Sequence, residues 1–162
     1  MEDGTQHRVV RRTGSAADTR ALGRALGRAA PAGTVLALTG PLGAGKTQLA
    51  KGVAEGLNVE TVVNSPTFVL MNEHEGRLRL FHIDAYRLDD PGEALAAGLL
   101  DERQAAGVSV IEWADRLEGW LPADRLDVHI NLVPGDDRAR EIVLVPRGPD
   151  HDALAAVIGG RR

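Results

Sequence analysis

One stretch of this chain combines residue types and spacing that point to phosphate chemistry. Gly40-Pro41-Leu42-Gly43-Ala44-Gly45-Lys46-Thr47 satisfies the phosphate-loop pattern G-x-x-x-x-G-K-[ST]. Glycines in such a loop let backbone N–H groups turn toward phosphate oxygens at close range. A helix that starts at the lysine adds the positive end of its dipole. Lys46 then has the reach to meet β- and γ-phosphates, and the Thr47 hydroxyl is placed to ligate Mg²⁺. The backbone of Gly40, Leu42, Gly43, Ala44 and Gly45, with Gln48 in the first helical turn, completes the expected cradle. Of 19 basic residues, only Lys46 and Lys51 are lysine, so each lysine's position carries information.

Two apolar segments end in carboxylates: LRLFHID delivers Asp84, and VSVIE delivers Glu112. In open parallel α/β sheets ligands sit beyond the carboxyl ends of strands, which puts both side chains within reach of the phosphate loop. A magnesium–triphosphate site needs one acid to hold the metal or its waters, and often another to orient the attacking water. Period-two alternation places His82, Asp84 and, if the strand continues, Tyr86 on one face. His82 reads equally as a structural histidine and as a chemical one. His7, His74, His129 and His151 lack metal-ligand spacing and are expected on the surface or in strands. Trp113, directly after Glu112, is expected to pack. Ser65-Pro66-Thr67 falls where many phosphate-loop enzymes carry a nucleotide-sensing switch, with an ordinary loop as the alternative.

The elements that must position these residues alternate between strand and helix. HRVVRRT (7–13) reads as a strand, and Ser15 with Asp18 forms a capping-box start for a helix through residue 30. That helix puts Leu22, Ala25, Leu26 and Ala29 on one face and an Arg20, Arg24, Arg28 stripe on another, read as a solvated face. Its LGRALGRA segment reads as simple helix periodicity. TVLALT (34–39) is a continuous apolar run suited to a strand buried on both faces. The loop helix turns Ala50, Val53, Ala54 and Leu57 inward. Strands at about 68–74 and 78–84 form a hairpin across Glu75-Gly76, and Asp90-Pro91 opens a helix to about Leu100. VSVIE (108–112) is a further buried strand. LDVHINLV and REIVLV flank PGDDR as a last hairpin, and a short helix at 150–158 follows. The expected fold is α/β, a phosphate-loop NTPase with a mostly parallel central sheet flanked by helices and antiparallel additions. It reads as one domain over 1–162, with its core at about 7–146.

Composition narrows the function. The 162 residues carry 19 basic and 23 acidic side chains, a net charge of −4, which argues against a protein that grips nucleic acid through a strongly basic face. Aromatic residues make up 3%, so base-stacking platforms are not expected. Cysteine is absent, which excludes disulfides, thiolate metal sites and a cysteine nucleophile. The N-terminus lacks the apolar core of a signal peptide, and no apolar run approaches the roughly 20 residues that span a bilayer. The expectation is a cytoplasmic protein without membrane contact.

Taken together, GPLGAGKT, NSPTF, FHIDAYRL and VIEWADR, in this order and spacing, resemble the bacterial TsaE family over about residues 15 to 145. The resemblance implies a small ATPase of tRNA threonylcarbamoyladenosine biosynthesis, weak on its own. It would work beside the TsaD and TsaB proteins that modify adenosine 37, touching tRNA only through that complex. By motif, Gly43, Gly45, Lys46 and Thr47 would bind the phosphates of ATP, Thr47 and Glu112 would hold Mg²⁺, and Lys46 and Asp84 would support hydrolysis. Ser65, Thr67 and Tyr86 would line the switch and the site. Pro41 stands where many members are acidic, and Ile83 where an aromatic is common; neither is a proposed ligand. The competing readings are a small phosphate-loop metabolite or nucleoside kinase and a nucleotide-dependent binding module. The kinase would need an arginine-bearing lid, and none is evident before VSVIE.

Overall fold

The computed structural model describes residues 8–63, 71–88, 90, 92 and 102–160. Among the described residues, seven strands form one sheet in the order β1-β7-β6-β2-β5-β4-β3. They are β1 (Val9–Thr13), β2 (Val35–Thr39), β3 (Met71–His74), β4 (Leu80–Asp84), β5 (Val108–Glu112), β6 (Arg125–Val133) and β7 (Asp136–Arg147). The central strands β6, β2, β5 and β4 run parallel, while β1, β7 and β3 add antiparallel edges. Among the described residues the α-helices are α1 (Ala16–Ala29), α2 (Lys46–Gly56) and α3 (Pro149–Ile158). None is long and apolar enough to cross a membrane.

The continuous run in β2 is explained by burial on both faces. Leu36 and Leu38 enter the larger core with Leu26, Leu49, Val53 and Leu154, whereas Val35 and Ala37 enter a second core with Ile83, Ile111 and Leu117. Ser15 caps α1 as its spacing predicts: its hydroxyl accepts the Asp18 N–H at 3.2 Å, and Asp18 in turn accepts the Gly14 N–H at 3.0 Å.

The contact between α1 and α2 differs from a side-chain stripe. Leu22 and Leu26 are buried as expected, but Ala25 and Ala29 are only partly so, and Gly23 and Gly27 are buried beside the leucines. They meet Gly52 and Gly56 of α2. A Cβ on any of these four glycines would collide with backbone of the opposite helix, so the two backbones touch directly. The Arg20 and Arg24 guanidinium groups reach across this seam to Glu55, at 2.6 and 3.0 Å. The β3–β4 connection closes the far end. Arg77 donates to the carbonyls of Gly27 and Ala30 at 2.8 and 3.0 Å, capping the last turn of α1.

The final hairpin is tighter than its composition suggests. β7 begins at Asp136, so most of PGDDR is strand, and the turn falls at Pro134-Gly135, with Gly135 at φ 84°. His151 is not a surface residue. It is buried, its Nε2 accepts the Val35 N–H at 2.9 Å, and its Nδ1 lies 2.6 Å from Asp124. This N–H lies just before the β2–β6 ladder, which begins at Leu36, and the helix supplies the acceptor the strand lacks. The expected helix after Asp90-Pro91 lies almost wholly outside the described residues, as do Ser65, Thr67 and Phe68.

Candidate functional site

The phosphate loop leaves β2 at Gly40 and enters α2 at Lys46. Gly40, Gly43 and Gly45 all have positive φ, at 151°, 79° and 112°, a conformation that side chains with a Cβ resist. Gly40 has a second constraint, because a Cβ there would sit 2.5 Å from the Ile130 carbonyl of β6. The loop is thus cradle-shaped for reasons written in its glycines. It borders a cleft of about 350 Å³ lined by Leu42, Gly43, Gly45, Lys46, Thr47, Gln48, Asp84, Tyr86, Glu112 and Trp113. Gly40 and Ala44 stand behind this surface, with the Ala44 side chain in the core.

The strand-end carboxylates arrive as parallel pairing predicts. Asp84 and Glu112 are direct partners in the β4–β5 register. The Thr47 hydroxyl donates to Glu112 Oε1 at 2.9 Å, joining the loop helix to β5. On the other side of the same carboxylate, His82 Nε2 lies 2.6 Å from Glu112 Oε2, and both residues are buried. Glu112 is therefore clamped between a hydroxyl and an imidazole that fix both its oxygens. That arrangement decides the open reading of His82: it holds the carboxylate that faces the cleft.

Burial shifts the remaining charges. It pushes the Asp84 carboxyl above the ordinary range, and the neighbouring Glu112 adds to the effect, while the Tyr86 N–H bond opposes it. Burial also pushes the Lys46 ammonium down, against the pull of Glu112, Asp115 and Asp84. The ammonium donates to the carbonyls of Gly40 and Pro41 at 2.6 and 2.9 Å.

Two features were not legible as site features in the sequence. Trp113 packs against the smaller core as expected, yet its ring centre also lies 4.0 Å from Lys46 Nζ. A left-handed backbone at φ 58°, rare for a bulky residue, turns the ring toward the loop. Tyr86 reaches the cleft by a different route from the one expected. β4 ends at Asp84, and the Asp84 side chain accepts the Tyr86 N–H at 2.9 Å, forming a turn that lays the tyrosine ring 4.8 Å from Trp113. The second feature is Arg140, from β7, whose Nε donates to the Ala44 carbonyl at 2.9 Å.

The donor set fits a hard divalent cation of the magnesium type. Such an ion takes oxygens at about 2.0–2.1 Å in octahedral geometry, which sets neighbouring ligand oxygens about 2.9 Å apart. The Thr47 hydroxyl and the Glu112 carboxylate bring two hard oxygens to one point, with Asp84 adjacent. No cluster of three or more His, Cys, Asp or Glu among the described residues forms an all-protein metal cage.

Comparison with known proteins agrees with the geometry. Residues 13–142 match the family model described as "Threonylcarbamoyl adenosine biosynthesis protein TsaE". The tRNA threonylcarbamoyladenosine biosynthesis protein TsaE of Bacillus subtilis is 42% identical over 144 residues, covering 88% of this chain and 89% of that protein. Its counterpart in Mycobacterium leprae is 43% identical over 129 residues, covering 74% and 80%. The crystal structure of Bacillus subtilis YdiB superposes with a TM-score of 0.81 at 31% identity, covering 98% of each chain. The resemblance carried by the four motifs extends across the sequence and the fold alike, and the chain belongs to the TsaE family of tRNA threonylcarbamoyladenosine biosynthesis.

Proposed function

We propose that this protein is a magnesium-dependent ATPase whose nucleotide cycle drives tRNA threonylcarbamoyladenosine modification at adenosine 37, in company with the TsaD and TsaB proteins. The observation that carries the reading is the Thr47–Glu112 contact at 2.9 Å beneath a glycine loop that ends in Lys46. It joins the phosphate-binding helix to the strand-end acids in the arrangement a metal–triphosphate requires.

When bound, Mg–ATP would supply an electrophilic terminal phosphoryl group whose oxygen charges the cation partly neutralises. The backbone of Leu42, Gly43 and Gly45, with Gln48, lines the phosphate cradle, and Gly40 and Ala44 shape it from behind. Lys46 exchanges its loop carbonyls for phosphate oxygens, and its desolvation strengthens that attraction. Thr47 and Glu112 hold the cation, and His82 keeps Glu112 from turning away. Asp84, beside Glu112 at the end of β4, orients water for attack. Tyr86 closes the cleft wall. Ser65 and Thr67, outside the described residues, serve as the nucleotide-sensing segment that meets the partners.

The partners supply the RNA contacts. A net charge of −4 gives the chain no general attraction for phosphate backbones. Its arginine stripe is partly spent internally, since Arg20 and Arg24 pair with Glu55.

The test has two arms. Lys46→Ala is expected to weaken ATP binding by about 100-fold or more, read by calorimetry, with the fold retained. In a reconstituted assay with TsaD and TsaB, that variant is expected to stop modification after the first turnovers. Sustained modification without this protein, or with the Lys46→Ala variant, would remove the functional reading. Phosphate transfer to a small acceptor in place of phosphate release would favour the kinase alternative.

A further inference from the structure

The phosphate loop is held from behind as well as from its own glycines. Arg140 projects from β7, where its backbone is paired on both sides, with Thr13 of β1 and Leu132 of β6. Its guanidinium group makes four bonds to carbonyl oxygens. Nη1 donates to Asp137 and Ala139 at 2.7 and 2.8 Å, which fixes the group on its own strand. Nε donates to Ala44 at 2.9 Å and Nη2 to Gly43 at 3.3 Å, which places the other edge of the fork on the loop.

We propose that Arg140 is a positioning residue for nucleotide binding, gripping two carbonyls of the phosphate loop and thereby aiming the Gly45 N–H. The inference rests on the nucleotide-binding reading above. In a trans peptide the carbonyl and the following N–H point in opposite directions. A carbonyl of Ala44 held by Arg140 turns the Gly45 N–H to the other side of the chain. Arg140 does not line the cleft, and Gly43, Gly45 and Lys46 do. The Gly43 peptide plays a different part: its Ala44 N–H donates to the Pro41 carbonyl at 3.1 Å, so the second bond of the fork steadies the turn while the Ala44 bond aims the Gly45 N–H. Glycines make these peptide orientations accessible but do not select them, because glycine's freedom extends equally to other orientations. The arginine performs the selection. A lysine could not, since it offers one compact charge where a planar fork spans two carbonyls.

The experiment compares wild type, Arg140→Ala, Arg140→Lys and Arg138→Ala. Arg138 is an exposed arginine on the same strand and serves as the charge control. Mg–ADP binding is measured by calorimetry, and amide exchange over residues 40–47 is measured without nucleotide. Arg140→Ala is expected to weaken ADP binding about tenfold and to accelerate exchange in the loop by a similar factor. Arg140→Lys should recover less than half of that loss on a logarithmic scale, and Arg138→Ala should match wild type. Full recovery with lysine, or an equal loss in Arg138→Ala, would show that charge alone acts and would overturn the proposal. So would unchanged loop exchange in Arg140→Ala. Exchange needs no nucleotide, so a wild-type protein that failed to bind ADP would sink the nucleotide reading while exchange still judged the grip.

Discussion

The α1–α2 seam and the strand-end cluster lie at opposite ends of the same helix α2, and they are built on opposite principles. The heart of the seam is backbone on backbone: Gly23, Gly27, Gly52 and Gly56 let two helices touch, so dispersion and close packing hold it. The cluster is made of charge taken out of water. Glu112 and His82 are buried against each other, Asp84 and Lys46 both carry a desolvation cost, and Trp113 sits in a strained backbone conformation. One region stabilises the fold and does no chemistry. The other carries the proposed nucleotide chemistry, and the burial of its charges costs stability.

Substitutions should separate the two regions. Gly52→Ala makes the sharpest test of the seam. Alanine favours a helix interior by about 1 kcal/mol over glycine, so propensity alone predicts a more stable protein. The added Cβ would meet the Arg20 carbonyl inside contact distance, and backbone cannot swing away as a side chain can. The clash should win by about 3 kcal/mol, lowering the melting temperature by about 10 °C. A rise in melting temperature would break the comparison. Nucleotide affinity measured well below the transition should change little.

Glu112→Gln probes the other end. It keeps the shape and a hydrogen-bonding oxygen but removes the charge that a cation needs. The magnesium dependence of ATP binding should fall by about tenfold or more, with the melting temperature within a few degrees of wild type. Equal magnesium dependence would exclude Glu112 from the metal site.

Asp84→Asn should raise stability slightly while abolishing most turnover. The folded-state pKa of Asp84 lies above its unfolded value of 3.8, so the ionised carboxylate costs stability above that window. Below the unfolded value both states are protonated and the cost is gone. The asparagine variant should therefore melt a few degrees higher at neutral pH, with the advantage shrinking as pH falls into the carboxylate range. An advantage that grew on acidification would reverse the assigned sign. The smallest effect belongs to Glu55→Ala, which removes two half-exposed ion pairs and should cost about 1 kcal/mol or less, fading in high salt.

The same contrast explains what the sequence could show. The cleft was legible because its requirements are local: glycine spacing, a lysine-threonine pair, and an acid at the end of each apolar run. Glu112 and Asp84 could be placed side by side because parallel strands bring their carboxyl ends to one edge. The seam was not legible, since a glycine inside a helix lowers helix propensity and reads as a weak point. Its only signal is the paired spacing, Gly23 with Gly27 and Gly52 with Gly56, which acquires meaning once the two helices are known to cross. Arg140 was missed for a related reason, because its partners are the carbonyls of Ala44 and Gly43 and carbonyls leave no mark in a sequence. His151 was misplaced because nothing local announces that a strand 116 residues away lacks an acceptor.

The strand order has a consequence for how the chain comes into being. β2 carries the phosphate loop early in the sequence, yet both of its neighbours, β5 and β6, come from the second half. β1 likewise pairs with β7, near the other end. During synthesis, the nascent chain therefore exposes a complete phosphate-binding motif long before that motif has a sheet to stand on. Its flanking strand must wait, apolar on both faces and unpaired along both edges, until residues 108–133 have emerged. On the proposed reading nucleotide binding is acquired late, since the loop gains its sheet only when most of the molecule has been made.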